Sequence, residues 1–227
     1  MEQDPAGFKK MEEKAEKDLR RSLQAQYKKV GVKSGALHLV VKIGESFEGC
    51  LAEATAESKV AMIVMGTHGK TNLRDVLLGS NASHVIATSA VPVLCVPGGS
   101  KYVPIKKLDY FTDLKEVRNE LKKVNGMAKA LACKVAVTHI DYSWARTDEE
   151  ERLLKKLASS KMEFHNAKAS IDIPLTQHIK RFARDRHSLP CLFHDRKNAL
   201  ARLLSGSNPE EAPAKVHAPI LSFQRAA

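Results

Sequence analysis

Three glycines and a serine at fixed spacing carry the clearest chemistry in this chain. Residues 66–80 read GTHGKTNLRDVLLGS; two residues separate Gly66 from Gly69, nine separate Gly69 from Gly79, and Ser80 follows directly. Glycine lets a backbone approach a ligand closely and turn where other residues clash. Backbone N–H groups in such a loop, with a helix N-terminus behind them, form a cradle for phosphate. Thr67 and His68 lie inside the loop, and Asn81 follows Ser80, where its side chain can touch phosphate or help cap the helix. Lys70 and Arg74 read better as surface cations of the following helix than as phosphate ligands. His68 has no second ligand at metal-binding spacing.

Such a loop works only if rigid elements hold its two ends. Met62-Ile63-Val64-Met65 leads into it as an apolar run, and Val91-Pro92-Val93-Leu94-Cys95-Val96 closes the segment. Both read as strands buried on two faces, the pattern of a parallel sheet.

Spacing and flanks together resemble the universal stress protein family. Its ATP-binding members carry G-2x-G-9x-G-[S/T] between the fourth strand and the next helix, with a Pro-Val-Leu strand afterwards. The resemblance covers residues 35–97 strongly and 101–225 weakly. It implies an α/β fold, an open parallel sheet with helices on both faces, Rossmann-like and of the adenine-nucleotide alpha-hydrolase type. It implies a stress-responsive protein that binds an adenine nucleotide, ATP with Mg, through Gly66, Thr67, His68, Gly69, Gly79, Ser80 and Asn81. It also implies a homo-oligomer, commonly a dimer built on the last strand. Two other classes stay open: an interaction module of the same fold without nucleotide, and a slow ATP hydrolase. No catalytic residues are assigned and no enzyme is expected, since the Ser-Gly-Gly-x-Asp-Ser loop, the G-x-S-x-G elbow and the H-E-x-x-H helix do not occur. The run Asp148-Glu149-Glu150-Glu151 sits at a helix start, where carboxylates favour the dipole.

Bulk properties narrow the setting. The net charge of +11 is uneven: residues 1–100 carry 13 Lys and Arg against 11 Asp and Glu, and residues 101–227 carry 24 against 15. With 5% aromatics and no nucleic-acid motif, these cations read as solvated helix faces rather than a nucleic-acid site. No apolar run is long enough for a membrane span. Cys50, Cys95, Cys133 and Cys191 lack metal or redox spacing and read as reduced thiols of a cytoplasmic protein.

The chain also repeats itself. Gly79-Ser80-Asn81 returns as Gly206-Ser207-Asn208, and Pro92 as Pro219, both at an offset of 127. Two tandem copies follow, 1–99 and 100–227, joined at Pro97-Gly98-Gly99-Ser100. The second copy reads as strands at Lys107–Phe111, Lys134–Ile140, Ser170–Ile173, Leu189–Phe193 and Pro219–Phe223. Helices are expected from Val117 past Ala128, from Asp148 to about Phe164, from Pro174 to about Asp185, and around Leu200. Its loop is degenerate, because Phe193 and Arg196 stand where Gly66 and Gly69 stand in the first copy, and its sheet is expected to pack against the first copy. Asp113 matches the family's Asp after strand one. The first copy starts late: a helix through Phe8, Met11, Ala15, Leu19 and Tyr27, a strand at Leu37–Ile43, and a helix capped by Ser46. Its first strand, first helix and second strand are missing, which leaves an apolar sheet edge open.

Overall fold

The computed structural model describes residues 5–30, 40, 42, 44–56, 59–67, 80–141, 146–169, 178–179, 181, 185–195 and 218–225. The chain divides into two compact units, Met1–Val60 and Ala61–Ala227. The first contains α1, Pro5–Val30, and α2, Phe47–Ala56. Lys28 and Lys29 complement the C-terminal end of α1, and Ser46 caps α2 by accepting from Gly49 N–H at 3.1 Å. The expected strand at 37–43 falls mostly outside the described residues.

The second unit is built on one seven-stranded sheet. Its elements are β1 (Ile63–Gly66), α3 (Ser80–Thr88), β2 (Val93–Val96), β3 (Lys107–Thr112), α4 (Val117–Ala130), β4 (Lys134–Asp141), α5 (Asp148–Ala158), β5 (Glu163–Lys168), β6 (Ser188–His194) and β7 (Ile220–Gln224). The spatial order is β1-β2-β7-β6-β3-β4-β5. Every neighbouring pair is parallel except β2 with β7.

Alternation explains the core. Leu108 and Tyr110 on β3, Val137 on β4, Leu189, Cys191 and Phe193 on β6, and Leu221 and Phe223 on β7 form one apolar cluster. Val117, Val124 and Ala128 of α4, spaced for one helix face, complete it with Leu154 and Leu157 of α5. Thr147 caps α5 in a reciprocal box with Glu150, the start to which the run of carboxylates pointed.

Two expectations need correction. The helix from Asp148 ends at Ala158, not near Phe164, because Ser159 and Ser160 turn their hydroxyls back onto the carbonyls of Lys156 and Leu157. The third strand of this half is then Glu163–Lys168, ahead of the expected Ser170–Ile173, which lies outside the described residues. Nor do two sheets pack on each other: β2 and β7 join edge to edge. Their register pairs Val93 with Ser222, Leu94 with Leu221, and Cys95 with Ile220. Leu94 and Leu221 are equivalents in the 127-residue repeat, and the flanking pairs exchange as across a local twofold axis. The parallel pairs on either side also agree, since β1 partners β2, and β6 partners β7, at the same spacing of 30 residues.

Candidate functional site

The glycine loop runs from a strand end to a helix start. Gly66 is the last residue of β1 and pairs with Val96. Thr67 follows, buried, and its N–H donates to the Val96 carbonyl at 3.2 Å. Ser80 opens α3, with Asn81 exposed beside it. His68, Gly69 and Gly79 lie outside the described residues. Because β1 and β2 are parallel, α3 must run back between them, so its N-terminus faces the end of β1 where the loop leaves. Ala82, Val85 and Ile86, at helical spacing, are buried, and Gln224 of β7 donates to the Ala87 carbonyl at 3.1 Å. The first turn of α3 contains no carboxylate, so nothing there opposes an anion. Among the described residues β1 pairs only with β2, and its other edge is open.

The corresponding end of the second half looks different. A tight turn follows β3, with Leu114 at a φ of +67° and its N–H donating to the Thr112 hydroxyl at 3.0 Å. Asp113 lies on this turn. Arg225, directly after β7, donates from Nε to Glu120 at 2.7 Å and from a terminal nitrogen to Asp113 at 2.7 Å. Its other terminal nitrogen is 3.7 Å from Asp195. Glu120, on α4 and buried, also accepts from the Tyr110 hydroxyl. Burial first, and then Glu120, push the Tyr110 phenol up, so it stays protonated and can donate to Glu120. Burial opposes the charge on Arg225, but Glu120 and Asp113 outweigh it and hold the guanidinium more firmly protonated than usual.

Elsewhere the titratable groups are structural. Asp109, buried in β3, accepts from Ser188, and burial raises its carboxyl above the usual range. All four cysteines are free thiols; burial pushes Cys95 up to about 12 and Cys191 well above its ordinary value, so both are poor nucleophiles. Among the described residues, no three His, Cys, Asp or Glu side chains group as a metal site, and no helix is long and apolar enough to cross a membrane.

Sequence reasoning missed Arg225, Glu120 and Asp195. One signal existed: under the 127-residue offset Arg225 falls on Gly98 and Asp195 on His68.

The sheet defines the class: a mostly parallel, open α/β fold that takes ligands at the C-terminal ends of its strands. Known proteins agree. The universal stress protein family model matches residues 1–97. Over 99 residues the chain is 35% identical to Universal stress protein MJ0577 of Methanocaldococcus jannaschii, covering 40% of this chain and 60% of that protein. The chain thus spans less than two-thirds of that relative's length. A universal stress protein of Archaeoglobus fulgidus superposes with a TM-score of 0.63 at 18% identity, over 99% of this chain and 81% of that one. A protein of unknown function from Pseudomonas aeruginosa superposes with a TM-score of 0.57 at 14% identity, over 94% and 78%. Residues 1–97 are thus similar to the universal stress protein family, and the sheet shares the fold of these solved structures.

Proposed function

We propose that this chain is a stress-response protein that binds an adenine nucleotide, ATP with Mg, in its first half and responds to it without catalysing a reaction. The observation that carries this reading is the position of the G-2x-G-9x-G-S spacing, which begins at the end of β1 and finishes as α3 begins. Backbone N–H groups of the loop and the first turn of α3 would hold the phosphates, with Gly66, Thr67, His68, Gly69, Gly79, Ser80 and Asn81 as the contacting residues. The chain is read as two tandem copies, 1–99 and 100–227; the shared strand spacing and the local twofold at Leu94 and Leu221 support this. A cytoplasmic setting and a homo-oligomer belong to the same reading. Since β2 is paired on both sides within the chain, self-association would use another edge, such as the outer edge of β1, which pairs with no other strand among the described residues.

Gly69→Val is the direct test. A Cβ and its methyls would occupy phosphate space, so ATP binding, measured by calorimetry on the purified chain, should be abolished while the far-UV circular dichroism stays unchanged. Equal affinity in the variant sinks the assignment. The degenerate loop of the second half, with Phe193 and Arg196 at the positions of Gly66 and Gly69, favours a second reading, an interaction module without nucleotide. Mass analysis of small molecules released from the purified protein separates the two.

A further inference from the structure

The C-terminal strand ends of the second half carry a cluster of charge. In a doubly wound sheet a ligand enters where successive connections leave a strand toward opposite sides, just beyond the strand C-termini. In the second half that place is between β3 and β6, because β4 flanks β3 on one side and β6 on the other. Asp113 follows β3, Asp195 follows β6, and Glu120 approaches from the first turn of α4. Into this space the chain puts a cation of its own. All three guanidinium nitrogens of Arg225 face a carboxylate, at 2.7 Å for Glu120, 2.7 Å for Asp113 and 3.7 Å for Asp195. The Arg225 side chain is only 10% exposed and that of Glu120 only 2%. The backbone is fixed too, since Arg225 N–H donates to the His194 carbonyl at 2.9 Å.

We propose that the crevice beyond β3 and β6 is a guanidinium site, filled in this chain by Arg225, which latches β7 in place and closes the second half to phosphate ligands. A planar fork suits this arrangement. Glu120 and Asp113 each receive a separate nitrogen along a defined direction, which an ammonium on a flexible stem cannot match. Glu120 needs a cation, because a buried carboxylate left unpaired is strongly destabilising. A phosphate in the same space would meet three carboxylates. The repeat supplies the contrast: the equivalent of Arg225 is Gly98, which has no side chain to play this part, and a Cβ added there would meet nothing within 4 Å. This inference stands whether or not the first half binds nucleotide.

Chemical rescue tests it on the full chain. Arg225→Ala should lower the Tm by about 10 °C, as expected when a buried carboxylate loses its partner in a domain of this size. Millimolar ethylguanidinium chloride should then recover several degrees in the variant and none in the parent chain, whose site is full. Equal concentrations of ethylammonium chloride or sodium chloride should recover much less. An unchanged Tm in Arg225→Ala, or the same response to ethylguanidinium in both proteins, overturns the proposal. If Arg225→Ala does not fold, Arg225→Lys carries the test. It keeps the charge without the fork, so its Tm should fall and be partly restored by ethylguanidinium; a Tm equal to that of the parent chain overturns the assignment.

Discussion

α1 and α4 are both amphipathic helices, yet they end in different physical states. On α1, Phe8, Met11 and Leu19 are exposed, and no described side chain of Met1–Val60 is buried. On α4, Val117, Val124 and Ala128 are buried beneath the face of a sheet whose Leu108, Tyr110 and Val137 have no exposed surface. Periodicity orients a helix, but burial needs an apolar surface opposite it. In the second half β3 and β4 supply that surface.

The largest expected difference is in hydrogen exchange. Amides of Val135–His139, in the interior of the sheet, should open only with global unfolding. Those of α1, without a buried face, should exchange through local fraying, faster by about a thousandfold or more. Similar protection in the two segments would mean that a partner chain covers α1, and the contrast would collapse. Next in size are paired truncations. Leu108→Ala should cost about 2–5 kcal/mol in urea unfolding, whereas Leu19→Ala should stay within about 0.5 kcal/mol. A loss at Leu19 comparable to that at Leu108 would break the comparison. The smallest effect is a pH slope. His194, buried at the end of β6, is held below the usual histidine value of 6.5, by burial first and then by the charge of Arg225, with Asp195 acting the other way. Below that value the unfolded chain takes up a proton that the folded chain resists. The stability contribution is therefore complete above pH 6.5 and falls as pH drops through the folded value. His194→Gln should flatten this decline between about pH 7 and pH 5; an unchanged profile would assign it to other groups.

Much of the second half was legible because its strands and helices carry strong periods. Lys134 to Ile140 alternates, and Val117, Leu121, Val124 and Ala128 repeat at helical spacing. β5 was not legible: Glu-Phe-His-Asn-Ala-Lys is an edge strand with half its surface wet, and it carries little apolar signal. The glycine loop could be placed between a strand and a helix, since Val91 to Val96 is apolar throughout. The joint at Leu94 and Leu221 was out of reach. A repeat reveals that two segments are alike, but not the symmetry operation that relates them, and no local pattern separates edge pairing from face packing. The role of Arg225 was hidden for a similar reason. A single cation after an apolar strand looks like solvated surface until α4 and the ends of β3 and β6 surround it.

The position of β7 has a consequence for how the chain acquires its sheet. This strand is synthesised last among the seven, yet it lies third in space, between β2 and β6. Leu94 must wait for Leu221. At a synthesis rate of about 5–20 residues per second, the interval is on the order of ten seconds. During it the Val-Leu-Cys-Val edge of β2 offers unpaired N–H and C=O groups to any extended segment nearby. Closing so long a loop is slow compared with pairing β3 to β4, so the second half should form its core first and receive β1 and β2 afterwards. Nascent chains are therefore most vulnerable to cross-pairing just before β7 emerges, and a chaperone that shields strand edges would act in that window.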